Sequence, residues 1–369
     1  MSLTKAASLL LIITAVFALL ILGKSLLIPF VIAIFIWYVI NALSHYIGEY
    51  KFVKKHLPTW ANTVISALII LLLIGLVGGL IAENARAMVN ELPKYEKNLG
   101  YLIERLGTTF NLDTSRFFEL SGAEKVPDIL GSLRGLFSEI NVADLITNVL
   151  NALSGVAGNT FLVFIYVMFL FFEQAVFPTK VRALFSQEDQ FKQFNDVMSH
   201  INEAIRAYFS VKLTVSLITG IASYILMALV GLDFAFFWAF LIFLLNFIPN
   251  IGSLIATIFP SVLALIQFET LTPFVIILVG VGSIQLLVGN LIEPRMMGSS
   301  LNISSLVVII ALTLWGSIWG IAGMILCVPI TVMMMIVFAQ FPNTRAIAIL
   351  LSEKGELMGS LEEIHEAND

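Results

Sequence analysis

Two short polar stretches break the apolar C-terminal half of this chain, and they limit its fold more than any other feature. The first runs Asn246-Phe247-Ile248-Pro249-Asn250-Ile251-Gly252-Ser253 and the second Asn290-Leu291-Ile292-Glu293-Pro294-Arg295-Met296-Met297-Gly298. Both lie between runs too apolar for a soluble domain. In hydrocarbon no water satisfies a backbone N–H or C=O, so a Pro/Asn/Gly break is tolerated only inside protein or beside a wet cavity. Broken apolar segments also point to binding sites in transporters. The expected fold class is therefore all-α: a polytopic integral membrane protein of about eight hydrophobic segments, some broken or re-entrant, with helical extramembrane insertions.

Composition agrees. Of 369 residues, 59% are hydrophobic and 12% charged, and mean hydropathy is +0.97. Soluble domains carry roughly 25% charged residues, so about half the usual charge is missing. A net charge of −5 argues against nucleic acid as a partner. The single cysteine, Cys327, sits in an apolar run and reads as a small buried hydrophobe. The four histidines (His45, His56, His200, His365) are scattered, and no HExxH or CxxC spacing occurs, so no metal site is expected. There is no Walker GxxxxGK[ST] and no base beside a serine in the spans. An enzyme is not expected, nor a cofactor.

The apolar runs predict spans near 6–23, 26–44, 60–82, 152–172, 209–230 and 272–289, with 234–268 and 303–341 each too long for one helix and each interrupted. Lys5 followed by Ala6 to Leu22 resembles a signal peptide, but Gly23-Lys24-Ser25 is a poor cleavage site, so a retained helical hairpin is expected. The chain divides into N-terminal membrane segments (1–82), a helical extramembrane insertion (83–150), C-terminal membrane segments (151–341) with a cytoplasmic amphipathic helix at 185–208, and a polar tail (342–369). Lys51, Lys54 and Lys55 in one loop, and Lys180 and Arg182 in another, place those loops and both termini in the cytoplasm by the positive-inside rule. The 83–150 segment then faces outward.

Two heptad-like seams run through the polar regions. Met88, Leu92, Tyr95, Leu99, Leu102 and Leu106 form one, and Phe191, Phe194, Met198, Ile201, Ile205 and Tyr208 the other. Such stripes either pack on helices of the same subunit or join subunits. Pro93 is expected to start a new helix within the first seam. The second runs without a breaker into the fifth span.

Glu293-Pro294-Arg295 is the strongest single candidate. A residue before proline is pushed toward extended backbone, where residues two apart share a side, so Glu293 and Arg295 are expected to project together. A charge at mid-bilayer costs roughly 2.5–3.5 kcal/mol on insertion scales and is kept when paired, hydrated or useful. With Asn290 and Gln285, expected near one face, this pair would form one wall of a solute or ion pathway. Asn246, Asn250 and Ser253 would form the other, with Pro249, Gly252, Pro294 and Gly298 as the structural breaks. The plainer alternative is that both stretches are turns at the membrane surface. A looser echo, Trp319-Gly320-Ile321-Ala322-Gly323 followed by Pro329, parallels Asn250 to Ser253 followed by Pro260.

Those two stretches, with the apolar run from Leu306 through Trp315 to Pro329, resemble the signatures of the autoinducer-2 exporter family, and the layout is similar over nearly the whole chain. The resemblance implies a bacterial inner-membrane secondary transporter of about eight spans and a homo-oligomer, with a pentamer as the suggested form. The implied partners are a small polar solute or a monovalent cation, and the lipid bilayer. It leaves open autoinducer-2 export and sodium or lithium exchange for protons. A non-transporting scaffold or regulator remains as a reading of another class. Only Asp233 and Glu269 join Glu293 as acids near the spans, a scarcity that favours a solute over proton-coupled cation exchange.

Overall fold

A computed structural model describes residues 3–50, 58–109, 142–268, 270–297 and 302–355. Gly298, Glu269, the tail beyond 355 and residues 110–141 of the insertion lie outside them. The elements in chain order are α1 (Leu3–Leu22), α2 (Lys24–Glu49), α3 (Thr59–Thr109), α4 (Val142–Leu184), α5 (Glu188–Val230), α6 (Ala235–Leu245), α7 (Ile251–Gln267), α8 (Leu271–Leu287), a π-helical turn (Val288–Ile292), α9 (Glu293–Met297), α10 (Ser305–Ala339) and α11 (Arg345–Leu351). The protein is thus all-α and polytopic. Six of these helical stretches are long and apolar enough to cross a membrane.

Two interrupted regions fold back on themselves as hairpins, one of them within α10, so five of those six stretches run on as continuous helices. The 11-residue α6 reaches about 17 Å at 1.5 Å per residue, short of a hydrocarbon core of roughly 30 Å. Its tip turns sharply: the Ile251 N–H donates to Pro249 O at 2.6 Å while Asn250 takes φ 58° and ψ −55°. That is the rarer, strained γ-turn, at a residue type that tolerates positive φ. Gly252 completes the reversal, since a Cβ there would stand 1.8 Å from Leu245 O. The base is tied shut, with the Asp233 N–H donating to Gln267 Oε1 at 2.8 Å and Gln267 Nε2 to Gly231 O at 2.9 Å.

The second hairpin hides within α10. Gly320 has φ 61° and ψ −138°, outside helical geometry, and a Cβ on Gly323 would lie 1.9 Å from Trp315 O. Eight residues of continuous helix would separate those positions by about 12 Å, so the chain doubles back. Its two ends meet: the Ser304 N–H donates to Leu351 O at 3.0 Å, and the Glu353 N–H to Asn302 O at 3.2 Å. The loose sequence echo is thus a shared device, in which a glycine two or three residues after a positive-φ residue admits a carbonyl from the incoming helix.

The hairpins enter from opposite ends. α5, α6, α7 and α8 pack in a ring, each on the next, around Met227, Ala239, Ile242, Ala256, Ala264, Ile277 and Val281. α8 descends from the base of the first hairpin toward the base of the second. Leu245 and Ile248, at the first tip, share a cluster with Trp315, Ile318 and Trp319 at the second. The two tips therefore overlap in depth.

Both long extensions also pack within the subunit. α3 runs unbroken through Pro93, correcting the expected new helix there. One lost hydrogen-bond rung, about 3 kcal/mol, is offset by the burial of Met88 and Tyr95 against the first hairpin. On α5, Val197, Ile201, Ala204 and Ile205 pack, as do Met297 and Ile303, against the buried cluster that includes Leu312, Trp315 and Val328. The two extensions leave the bundle at opposite ends.

Candidate functional site

α5 carries a buried polar stripe into its apolar C-terminal half. Tyr208, Lys212, Ser216, Thr219 and Ser223 are spaced three or four residues apart, so they share a face, and all five are buried. α6 comes close to this face at Gly220, where a Cβ would meet Phe243 Cβ at 3.2 Å and Ala239 O at 3.3 Å. Below that contact the first tip sits against Lys212 and Ser216.

Lys212 is the centre of the site. Its ammonium forms an ion pair with Glu293 Oε1, and the two side chains are 7% and 18% exposed. It also donates to the Asn246 carbonyl oxygen at 3.4 Å. Asn246 Nδ2 in turn donates to Ser216 Oγ at 3.1 Å. A buried ammonium is sustained only by such a set of partners. One lysine thus joins the two polar stretches that break the apolar C-terminal half.

The π-turn positions the carboxylate. A π-turn inside an α-helix rotates the residues downstream of it, and Glu293 comes after it with φ −58° and ψ −51°. The expected extended conformation before Pro294 is therefore corrected: Glu293 is helical and its partner is Lys212. Arg295 is exposed on α9, so the expected Glu293–Arg295 pair does not form. The Glu293 N–H is bonded back to Val288 O, so α9 continues the π-turn without a break.

The remaining sequence candidates divide. Asn246 is in the site and Gln285 is buried on α8, whereas Asn290 is exposed in the π-turn. The expectation that Gln285 and Asn290 share a face is thus corrected, because at about 3.6 residues per turn a spacing of five leaves two side chains more than a third of a turn apart. Asn250 is exposed at the tip, where Ser253 Oγ donates to its carbonyl at 2.9 Å. Pro249 and Gly252 shape that turn, and Gly252 is buried.

Sequence reasoning missed Lys212, Ser216 and Tyr208. The signal was available: a lysine within the apolar run 209–230, with a tyrosine four residues before and a serine four after. Among the described residues no group of three or more His, Cys, Asp or Glu is placed to hold a metal ion.

Two opposed hairpins, with a charged site where one tip meets long helices, match the broken-segment organisation by which transporters build their sites. The comparisons name the kind. The model of the AI-2E family transporters matches residues 9–343, and the chain belongs to that family. It is 29% identical over 341 residues to the AI-2 transport protein TqsA of Escherichia coli K12, covering 90% of each chain. It is 31% identical over 345 residues to a putative transport protein of Haemophilus influenzae, covering 90% of this chain and 91% of the relative. The putative transport protein YhhT of Escherichia coli K12 is 28% identical over 363 residues, covering 95% and 93%. These are names of transporters, not of enzymes.

Proposed function

We propose that this protein is a secondary transporter of the bacterial inner membrane that exports a small, uncharged polar solute such as autoinducer-2. The observation that carries the reading is the Lys212 ammonium held between Glu293 and the Asn246 carbonyl. A scaffold has no use for so costly a group at membrane depth. The site sums to zero charge and offers hydroxyl and amide groups from Tyr208, Ser216 and Asn246, a set matched to hydroxyl-bearing solutes. A sodium or lithium ion would have to displace the tethered ammonium from the carboxylate, which argues against cation exchange. The 83–150 segment outside, cytoplasmic termini and a homo-oligomeric assembly complete the reading.

Purified protein in liposomes tests it with labelled autoinducer-2 and, separately, with sodium, lithium or proton gradients. Solute flux that is lost in Glu293→Gln and Lys212→Met, at matched protein levels, is the expected result. Cation-driven proton movement without solute flux would favour the antiporter, and no flux of either kind would favour a scaffold.

A further inference from the structure

The ion-pair site leaves part of the α5 stripe without a role. Buried hydroxyls on the membrane helices mostly donate to the carbonyl one turn back: Thr219 to Val215 at 2.8 Å, Ser261 to Thr257 at 2.7 Å and Thr331 to Cys327 at 2.6 Å. Ser223 does not. It is fully buried, yet its Oγ has no hydrogen-bond partner. On α8, Gln285 is 7% exposed and its Nε2 likewise lacks a partner. Unpartnered buried polar groups are rare because each keeps its desolvation penalty.

These two groups lie at adjacent heights on facing helices. α5 and α8 are antiparallel neighbours: a Cβ on Gly280 would lie 2.4 Å from Leu226 Cδ2, and Val288 packs with Val211 and Val215. Interpolation between those contacts sets Gln285 beside the turn around Thr219. Ser223 is then about one helical turn further along. Gln285 is on the buried stripe of α8 with Ile277, Val281 and Val288, and Ser223 is on the buried stripe of α5. Beyond them toward the base of the first hairpin the ring is packed mainly with apolar side chains, among them Met227, Phe237 and Leu263.

We infer that Ser223 and Gln285 form a second polar station, holding a hydroxyl group as the solute moves between the Lys212 site and the far side of the membrane. This extends the proposed transport reading and rests on it. The chemistry recognised is an uncharged hydroxyl, since Ser223 can donate or accept, Gln285 offers an amide donor, and neither carries charge. Such a station selects solutes by hydroxyl placement, as a site built to hydrogen-bond a hydroxyl rejects analogues without one.

The test uses Ser223→Ala and Gln285→Leu in the full-length protein, reconstituted with labelled autoinducer-2. Removing an idle buried polar atom relieves a penalty, so neither variant should lower the thermal midpoint. Each should raise the apparent KM for the solute about 5-fold, the equivalent of one hydrogen bond. An unchanged KM with slower osmotic water movement through the proteoliposomes would support the station with water as the hydroxyl source. Unchanged KM and water movement in both variants, or a lowered midpoint in both, would overturn it. Glu293→Gln, run alongside, separates the two readings. Lost flux there with normal kinetics in the other two removes the second station only, while wild-type flux in Glu293→Gln removes the Lys212 site itself.

Discussion

The pairing of Lys212 with Glu293 makes an asymmetric prediction about its two halves. Glu293→Gln removes the counter-charge of an ammonium that is 7% exposed, leaving it only neutral acceptors such as the Asn246 carbonyl and the new amide oxygen. Breaking a buried pair from one side costs about 3–5 kcal/mol, so this variant should lose close to that. Lys212→Met leaves the carboxylate, which at 18% exposure can recruit water, and should cost nearer 1–3 kcal/mol, the approximate range for an unsatisfied group. The double variant removes both charges and should return to within about 1 kcal/mol of wild type, because swapping a buried pair for neutral groups is often near neutral. The interaction energy from the cycle is then several kcal/mol. At roughly 2 °C per kcal/mol for a chain of this size, Glu293→Gln should melt about 6–10 °C lower in detergent, monitored by tryptophan fluorescence. Flux should be absent in all three variants. Additive losses in the double variant would refute the pairing, and recovered transport in a restabilised double variant would show the pair to be a structural brace alone.

The geometry yields three further expected outcomes. Gly252→Ala and Gly323→Ala drive a Cβ into a backbone carbonyl, 1.8 and 1.9 Å away, and should each cost about 3 kcal/mol or more; Gly78→Ala, with nothing within 4 Å, should stabilise its helix by about 0.5–1 kcal/mol, and equal midpoints for all three would contradict the hairpin turns. Tyr95 Oη donates to Asp233 Oδ2 at 2.9 Å, and burial first, then that bond and the Asp233 charge, push the phenol above its ordinary value of 10. A raised value means the stabilisation is complete below about pH 10 and is lost only as pH climbs toward the folded value, so wild type minus Tyr95→Phe should give a constant midpoint difference from about pH 6 to 9; a difference that shrinks across that range would count against the bond. For orientation, Asn90→Cys should react with an impermeant thiol reagent from outside intact cells and Lys354→Cys only after permeabilisation, both in a Cys327→Ala background; equal labelling from outside would reverse the topology.

How much of this was legible in the sequence depended on distance along the chain. Apolar run lengths carried the polytopic all-α fold, because span length is a local property. Pro249, Asn250 and Gly252 marked a reversal for the same reason: their backbone limits act within a few residues. Glu293 stood out as a costly charge, but its partner is 81 positions earlier on another helix, and the local rule for residues before proline pointed to Arg295 instead. That rule yielded to the π-turn, which keeps the chain helical through Glu293 so that its carboxylate meets Lys212. Likewise the Pro93 rule yielded to the packing of Met88 and Tyr95 on the first hairpin.

The neutrality of the Lys212–Glu293 couple bears on how the protein meets the membrane voltage. One elementary charge carried across the whole potential gains or loses about 2.3 kcal/mol per 100 mV. A lone carboxylate at that depth would make any shift of α9 depend on the energised state of the cell. Tethered to an ammonium on α5, it moves with its own counter-charge, and the electrical work of displacing the two together is close to zero. An uncharged solute travelling with them adds none. On the proposed reading, a step that moves the couple and an uncharged solute together does no electrical work, so the membrane voltage neither drives nor opposes that step.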